Sequence, residues 1–220
     1  SVTYYGKTYN VTGIGIGAFA NSTNLESVTI PESVKSIGAR DFDECSSLAS
    51  VTILGSLTSI NDYAFWGCAS LTSVSVQGSV TRIGRSVFKD CHSLTSVTMG
   101  DGLTNIDYGA FWNCSNLVSI AIPESVTTIG ESAFASCNSL KYMVLLSENV
   151  VDAPLGSLPA NITVFVPKAL IADYQAHETW GKQNVVEYTG QPVVTVNDAQ
   201  RNYGRSNPSF TFAVTGAPVL

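Results

Sequence analysis

The sequence has few charged residues, and most of those it has are acidic. Asp, Glu, Lys and Arg make up 13% of the 220 residues, which is about half the share found in an ordinary soluble domain. Seventeen acidic residues against 11 basic ones give a net charge of −6, so we expect no cationic surface for nucleic acid or acidic lipid. The exterior must therefore be built mostly from Ser, Thr and Asn, and nucleic acid is not an expected partner.

The sequence also lacks long hydrophobic runs and the short motifs of common enzymes. Ser or Thr interrupts every apolar stretch, so we expect no transmembrane segment. There is no Gly-rich phosphate loop, no G-x-S-x-G motif and no H-E-x-x-H motif, so we expect neither catalytic activity nor a cofactor. The chain starts at Ser1 without Met or an apolar leader, so we expect any export signal to have been removed or left out.

What the sequence has instead is a unit of 23 residues that occurs six times without an insertion. Each copy opens with an isoleucine, from which we number its positions: Ile14, Ile37, Ile60, Ile83, Ile106 and Ile129. Position six is always phenylalanine and position twelve always leucine. The spacing Leu-x-x-Val-x-Ile that starts at position twelve places three apolar side chains on one side of a short strand, with Ser or Thr between them. The sequence therefore predicts one half-buried strand per copy.

Stacking these copies predicts a solenoid with a parallel β-sheet and about 4.8 Å between coils. The Ala-Phe-x-x-Cys segment is too short for a free helix and predicts one helical or 3₁₀ turn. Position two holds residues that tolerate positive φ, so we expect a left-handed turn there. Those residues are Gly15, Gly38, Asn61, Gly84, Asp107 and Gly130.

The five cysteines all occupy position nine, where the first copy has Ser22. Their side chains should run parallel into the core, which is poor geometry for a disulfide. A metal site needs closely spaced ligands such as C-x₂-C, which are absent, and His92 and His177 are far apart. We expect buried, free thiols and no metal at Cys45, Cys68, Cys91, Cys114 and Cys137.

The unit IGxxAFxxCxxLxxVxIPxSVTx, nearly complete in residues 106–128, resembles the BspA-like leucine-rich repeat of bacterial surface proteins. The resemblance covers roughly residues 10–151. It implies an α/β repeat solenoid, that is, a right-handed leucine-rich-repeat superhelix with a parallel β-sheet and short helical or 3₁₀ turns. It also implies export to the cell surface and a role in adhesion or in recognition of a host or glycan partner.

Both ends of the array carry other segments. Alternating β-formers indicate an N-terminal cap hairpin in residues 1–13, followed by six repeats in 14–151. Residues 152–190 resemble a C-terminal strand-helix-strand cap, with a helix from Pro167 to about Trp180. Residues 191–220 form a linker and then resemble the first strands of an immunoglobulin-like MBG-type module. Because these are too few for a whole sandwich, we expect the tail either to pair with an exposed sheet edge or to be disordered. We expect Leu170, Tyr174 and Trp180 to form the core of the C-terminal cap.

Two tryptophans stand out at position seven, directly after the inward-facing phenylalanine. We expect Trp66 and Trp112 to point sideways or outward about 10 Å apart, with Lys89 between them and Tyr63 and Tyr108 nearby. Aromatic residues around a cation suit sugar stacking or a protein hot spot. The alternative is that each indole folds onto the turn of its neighbour, with Lys89 packed between. The other residues at position seven are Ala20, Asp43 and Ala135.

Ser and Thr occupy the strand face opposite the predicted core. Concave faces of solenoids usually bind extended partners, so these ladders are a second candidate surface. The alternative is that Ser and Thr simply suit an exposed strand, because the face lacks aromatic and Arg anchors. The first ladder is Ser27, Ser50, Ser73, Ser96 and Ser119, and the second is Thr29, Thr52, Ser75, Thr98 and Ala121.

Carboxylates cluster only at Asp41, Asp43 and Glu44, which form either a weak cation site or a solvated face.

The leading functional hypothesis is an exported bacterial surface protein that acts as a noncatalytic binding or adhesion module for a host protein or glycan. One alternative is a structural spacer that presents neighbouring domains. Another is a glycan-capture accessory to an enzyme, which would require the tryptophan patch.

Overall fold

Successive copies of the repeat stack because the extended segments of each copy pair with the same segments of the next. The computed structural model describes residues 2–4, 7–9, 11–54, 57–76 and 79–188. Val and Ile alternate with Ser and Thr in the extended segments, and this pattern favours strands with one buried and one solvated face.

The described chain begins with an antiparallel hairpin of β1 (Val2–Tyr4) and β2 (Lys7–Tyr9). Each coil then contributes a four-residue strand, and all but the last also a two-residue strand. In chain order these are β3 (Ser27–Ile30), β4 (Ser36–Ile37), β5 (Ser50–Ile53), β6 (Ser59–Ile60), β7 (Ser73–Val76), β8 (Arg82–Ile83), β9 (Ser96–Met99), β10 (Asn105–Ile106), β11 (Ser119–Ile122), β12 (Thr128–Ile129) and β13 (Tyr142–Leu145).

The strands form parallel sheets that run along the solenoid. The long strands pair in the orders β3-β5-β7-β9 and β11-β13, and the short strands pair in the order β12-β10-β8-β6-β4. Paired residues such as Val74 and Val97 are one repeat apart. The predicted repeat solenoid with a parallel sheet is therefore confirmed.

The core contains a column of phenylalanines and a column of cysteines. From Phe19 to Phe134 the rings stack nearly parallel, with centroids 5.2 to 5.7 Å apart. All five cysteines are buried and free, as predicted. Each thiol donates a hydrogen bond to the carbonyl of the phenylalanine in the preceding coil, with distances from 3.0 to 3.2 Å.

The segment that returns over the core is a series of tight turns and not the predicted helical or 3₁₀ turn. Positive φ occurs at positions four and eight of all six copies, for example 62° at Tyr63 and 61° at Asn113. These residues interrupt helical bonding, and N–H groups at positions four, six and eight donate instead to carbonyls of the following coil. Phe42 N, for instance, lies 2.9 Å from Ala64 O.

The prediction of left-handed backbone at position two is wrong. None of its residues has positive φ, the glycines included. Glycine is needed in the fourth and sixth copies because the preceding coil passes very close, whereas Asn61 and Asp107 occupy this position in the third and fifth copies. A Cβ on Gly130 would lie 2.6 Å from the main-chain carbon of Asp107 and from the nitrogen of Tyr108. Gly15, which has no repeat before it, has nothing within 4 Å of such a Cβ.

The first coil is less enclosed than its repeat pattern predicts. Phe19 is 41% exposed and Ile16 83% exposed, whereas the phenylalanines of the later coils are fully buried. The hairpin β1–β2 forms a two-stranded sheet of its own. It leaves this side of the first coil open to solvent.

The C-terminal segment extends the long-strand sheet. β14 (Thr163–Val166) pairs with β13, and β15 (Asn184–Glu187) pairs with β14. Between them lie a 3₁₀ turn (Lys168–Leu170), α1 (Ile171–Ala176) and a second 3₁₀ turn (Trp180–Lys182), so the predicted helix is broken into three pieces. The linker and the MBG-type resemblance, in residues 191–220, lie outside the described residues.

Buried polar contacts hold this segment against the last coil. Tyr174 and Trp180 are fully buried and Leu170 is partly buried against the core. The Tyr174 hydroxyl accepts from the Val151 amide at 3.0 Å, and the Trp180 indole donates to the Val151 carbonyl at 2.7 Å. These bonds satisfy polar groups that burial would otherwise leave unpaired.

Candidate binding surfaces

The position-seven side chains lie on one side of the solenoid, together with the turn residues beside them. Cations and aromatic rings alternate there from the second coil to the fifth. We call this set the cation-aromatic row. It consists of Arg40, Tyr63, Trp66, Arg85, Lys89, Tyr108 and Trp112.

Lys89 lies between the two tryptophans. Its Nζ is 5.0 Å from the ring centroid of Trp66 and 5.2 Å from that of Trp112, within the range of a cation-π contact. The guanidinium carbon of Arg40 lies 5.6 Å from the Trp66 centroid. Trp66 therefore receives one cation from the coil before it and one from the coil after it.

The tyrosines form a parallel set of contacts. Arg40 lies 4.6 Å from the ring centroid of Tyr63, and Arg85 lies 4.4 Å from that of Tyr108. Each tyrosine also contacts the tryptophan of its own coil, with centroids 5.9 Å apart in the first pair and 6.3 Å apart in the second. Every ring in the row is thus paired with a cation from the preceding coil.

Asp90 provides the negative charge of the row. Its carboxylate accepts from the Trp66 indole N–H at 2.9 Å and from the Asn113 amide at 2.8 Å, and it lies 3.5 Å from Lys89 Nζ. Partial burial acts to raise the pKa of Asp90, but these hydrogen bonds and the Lys89 charge outweigh it and lower the pKa below its usual value. Asp90 therefore stays ionised and fixes the Trp66 indole.

This geometry corresponds to the second of the two arrangements considered for the tryptophans. Both indoles are half-buried, and Lys89 packs between them. With a cation from each neighbouring coil near its ring, Trp66 is less accessible to a sugar than an uncovered indole would be. Binding through Trp66, Trp112, Lys89, Tyr63 and Tyr108 stays a prediction.

The second surface is the solvent side of the four-residue strands, which we call the sheet face. The Ser and Thr ladders lie on it: Thr29, Thr52 and Ser75 are exposed, and Thr98 is half-buried. The inward residues of the same strands, such as Val74 and Val76, are buried. The predicted inside and outside of these strands are therefore correct.

The sheet face changes character at its C-terminal end, and the sequence reasoning missed this. The Thr29 ladder continues in register from Ala121 to Val144, Phe165 and Val186. Tyr142 is 40% exposed with its ring 6.3 Å from that of Phe165, and the adjacent Val118 is 45% exposed. We call this set the apolar end of the sheet face. It consists of Val118 and Tyr142, which are exposed, Val186, which is half-buried, and Val144 and Phe165, which are buried.

Two residues of the apolar end of the sheet face could have been found from the sequence. Tyr142 and Val144 lie 23 residues after Ser119 and Ala121, so extending the ladders by one copy would have found them. Phe165 and Val186 follow at intervals of 21 residues (165 − 144 and 186 − 165), which the 23-residue period does not reach. Only the strand pairing brings these two to the same face.

The carboxylate cluster is not a solvated face. Asp41 and Asp43 are buried, while Glu44 is exposed. One oxygen of Asp41 accepts from the Gly38 amide at 2.5 Å, and one oxygen of Asp43 accepts from Arg40 at 2.8 Å. Burial raises the pKa of Asp41, although the Gly38 amide partly opposes it. The remaining carboxylate oxygen of each has no hydrogen-bond partner.

The described residues offer no cluster of three or more side chains suited to a metal ion. The cysteines do not supply reactive thiols, because burial raises the pKa of Cys68, Cys91 and Cys114 well above the ordinary value. None of the helices in the described part of the chain has the length and hydropathy that a membrane span needs.

Comparisons with known proteins agree with this architecture. A leucine-rich cell surface protein from Faecalibacterium prausnitzii is 26% identical over 77% of the chain, with a TM-score of 0.53, and the chain covers 62% of that structure. The T. pallidum leucine-rich repeat protein is 27% identical over 77% of the chain, with a TM-score of 0.61, and 78% of it is covered. The pneumococcal vaccine antigen PcpA is 26% identical over 71% of the chain, with a TM-score of 0.53, and 39% of it is covered. No curated protein sequence matches.

The family comparison covers most of the chain. The model of the BspA type leucine-rich repeat region matches residues 9–149 in six copies. These limits agree with the resemblance that the repeat unit itself carries, and they include every coil of the core. The chain belongs to the BspA-type leucine-rich repeat family.

Proposed function

We propose that this chain is a noncatalytic protein-binding module of a bacterial surface protein, and that the partner lies along the sheet face. The observation that carries the proposal is the apolar end of that face. Tyr142 and Val118 are large, exposed and adjacent, and the buried Val144 and Phe165 form an apolar pair next to Tyr142. Aromatic and aliphatic side chains grouped beside a polar surface are typical of binding hot spots.

The rest of the face fits the same role. Its Ser and Thr ladders present hydroxyl groups along β3, β5, β7 and β9, which suits hydrogen bonds to an extended partner. A partner anchored at the apolar end would extend over these strands. The polar ladders alone would give little specificity, so most of the affinity should come from Tyr142 and its neighbours.

A glycan partner is less well supported. Sugar stacking needs uncovered aromatic faces, whereas Trp66 has a cation from each neighbouring coil and each other ring of the row has one cation over it. The role as a glycan-capture accessory depended on that patch. The role as a structural spacer requires no binding surface, and it would leave the exposed pair Tyr142 and Val118 without a purpose.

Binding to immobilised extracellular-matrix proteins and to a glycan array tests the proposal. We expect saturable binding to at least one protein and no specific binding to glycans. Replacing Tyr142 and Val118 together by serine should weaken protein binding at least tenfold, because hot-spot residues each contribute about 2 kcal/mol or more. The matched control replaces Thr29 and Thr52, at the other end of the same face, by alanine.

Three outcomes would contradict the proposal. Absence of binding to every protein favours the spacer, and binding to glycans alone favours glycan capture. Equal loss of affinity in the serine and alanine variants would mean that the apolar end is not the anchor. Melting temperatures of both variants distinguish lost contacts from lost folding.

We also propose export to the cell surface. The family membership and the likeness to a cell surface protein from F. prausnitzii support this placement. The resemblance of residues 193–214 to MBG-type modules of surface proteins agrees with it. Protease treatment of intact cells that produce the protein should remove it, and complete protection in intact but not in lysed cells would contradict export.

A further inference from the structure

We infer that the C-terminal end of the cation-aromatic row is a binding place for a lysine or arginine side chain of a protein partner. This surface is separate from the sheet face, and the inference does not depend on what binds there. It rests on two observations: a cation lies beside each aromatic ring of the row, and the sixth coil has no cation at the position that follows Trp112.

The row shows which chemistry its rings accept. The guanidinium of Arg40 contacts the rings of Tyr63 and Trp66. The guanidinium of Arg85 contacts Tyr108, and the ammonium of Lys89 contacts both Trp66 and Trp112. Lys89 follows Trp66 by one coil at the same repeat position. Its Nζ reaches to 5.0 Å from the Trp66 ring, so a cation one coil after a tryptophan is well placed to cover its second face.

The sixth coil provides no such cation. The residue one coil after Trp112 is Ala135, and the residue one coil after Tyr108 is Glu131. The Asn113 amide donates to Ala135 O at 2.8 Å, and the Gly109 amide donates to Glu131 O at 3.0 Å. These main-chain bonds hold the sixth coil in register with the fifth, as the Gly67 N to Lys89 O bond does two coils earlier, so Ala135 takes the place relative to Trp112 that Lys89 takes relative to Trp66.

Trp112 therefore has a cation on its N-terminal side and only a methyl group at the equivalent position on its C-terminal side. Trp112 and Ala135 are half-buried and Glu131 is exposed, so solvent reaches this end of the row. A partner's basic side chain that stacks on Trp112 would repeat the Lys89–Trp66 contact. Glu131, which is exposed and lies one coil after Tyr108, adds a carboxylate at this end of the row.

The charges of the chain favour a lysine or arginine side chain of the partner over a neutral group. The chain carries a net charge of −6, which favours approach of a basic partner. Glu131 would repel an acidic side chain and would gain nothing from a neutral sugar. The contact is small, so the expected contribution to affinity is about fivefold for one side chain.

Ala135→Lys provides a direct test, because it places an ammonium where Lys89 stands relative to Trp66. The probe is an N-acetylated, C-amidated Gly-Arg-Arg-Gly peptide, and the readout is the NMR signal of each indole N–H on titration. We expect the Trp112 signal to shift while the Trp66 signal stays, and the Trp112 response to fall at least fivefold in Ala135→Lys. Ala20→Lys is the matched control, since it adds the same charge at position seven beside Asp43 and not beside a ring.

Two further titrations determine whether charge recognition is responsible. The same peptide with citrulline in place of arginine keeps the shape without the charge, and it should leave the Trp112 signal in place. A neutral oligosaccharide should do the same. Equal shifts with citrulline, a Trp112 shift with the oligosaccharide alone, an unchanged response in Ala135→Lys, or no shift with the arginine peptide would each overturn the inference.

Discussion

Cys114 and Phe88 lie in neighbouring coils, and the Cys114 thiol donates a hydrogen bond to the main-chain carbonyl of Phe88 across 3.1 Å. The same carbonyl accepts from the Cys91 amide at 3.3 Å. A buried carbonyl has two lone pairs to satisfy, and in this chain a thiol supplies the second donor. The cysteine column is thus part of the coil-to-coil hydrogen bonding and neither a disulfide ladder nor a metal site.

The thiols should resist modification in the folded protein. Burial raises the pKa of Cys68, Cys91 and Cys114, so raising the pH from 7 to 9 should generate little thiolate. We expect a coloured thiol reagent to react with all five cysteines in denaturant and only at the rate of unfolding in buffer. A Ser22→Cys variant, with a thiol in the less enclosed first coil, should release one additional equivalent faster. Rapid native reaction of the wild type at pH 9 would contradict this.

The phenylalanine column should dominate stability. Phe88 is fully buried and stacked between Phe65 and Phe111, with centroids at 5.7 and 5.3 Å. Phe88→Ala should lower the free energy of unfolding by about 3–5 kcal/mol, because it leaves a cavity. Thr98→Ala, on the sheet face, should cost less than about 1 kcal/mol. Urea unfolding measures both, and equal losses would mean that inside and outside are reversed.

Replacing Asp41 should stabilise the protein at neutral pH. Asp41 is buried at a position that is alanine in four of the six copies, and one of its carboxylate oxygens has no partner. Asp41→Ala removes that cost, and we expect the free energy of unfolding to rise by about 1–2 kcal/mol. Asp41→Asn is the control that keeps an acceptor for the Gly38 amide and removes only the charge.

The gain from Asp41→Ala should depend on pH. The folded-state pKa of Asp41 is raised above 3.8, so wild-type stability from this group is fully present below 3.8 and is lost as the pH rises through the folded pKa. The advantage of the variant should therefore shrink on acidification. An advantage that grows below pH 4 would show that burial does not disfavour the ionised form.

Asp90 should behave in the opposite way. Its folded-state pKa is lowered below 3.8, so its contribution is present above 3.8 and is lost as the pH falls through the folded value. Asp90→Asn keeps a side chain that tolerates the positive φ of this position and removes the charge beside Lys89. We expect a loss of about 0.5–1 kcal/mol at pH 7 that diminishes as the pH falls below 3.8 through the folded value, measured by thermal unfolding. A loss that persists in acid would mean that the charge is irrelevant.

The strand pattern and the core columns could be predicted from the sequence, because each depends only on residues 23 apart. The turn conformation could not. Glycine at position two suggested a left-handed backbone, but Gly84 and Gly130 are there because the preceding coil passes within 3 Å of where a Cβ would lie. The left-handed residues include Arg40, Tyr63 and Ser86, for which no local sequence signal exists.

The candidate binding surfaces could also be predicted only in part from the sequence. The position of Trp66 and Trp112 followed from the repeat, whereas the cations that cover Trp66 come from Arg40 and Lys89, whose reach depends on rotamers. The apolar end of the sheet face needs Phe165, which reaches it through strand pairing outside the repeat. The 23-residue repeat therefore determines which residues line up along the solenoid. Contacts between side chains and strand pairing outside the repeat determine which of those residues are open to solvent.

The crossing hydrogen bonds repeat from one junction to the next, since amides at positions four, six and eight donate to the following coil and other amides, such as Ala49 N, donate to the preceding one. A gene duplication or deletion that adds or removes 23 codons would recreate an identical junction and leave no donor or acceptor stranded. Any other length would misalign the ring stack and the bonds together. The fold thus favours a change of length in whole units, which would lengthen or shorten the solenoid and leave its interior packing unchanged.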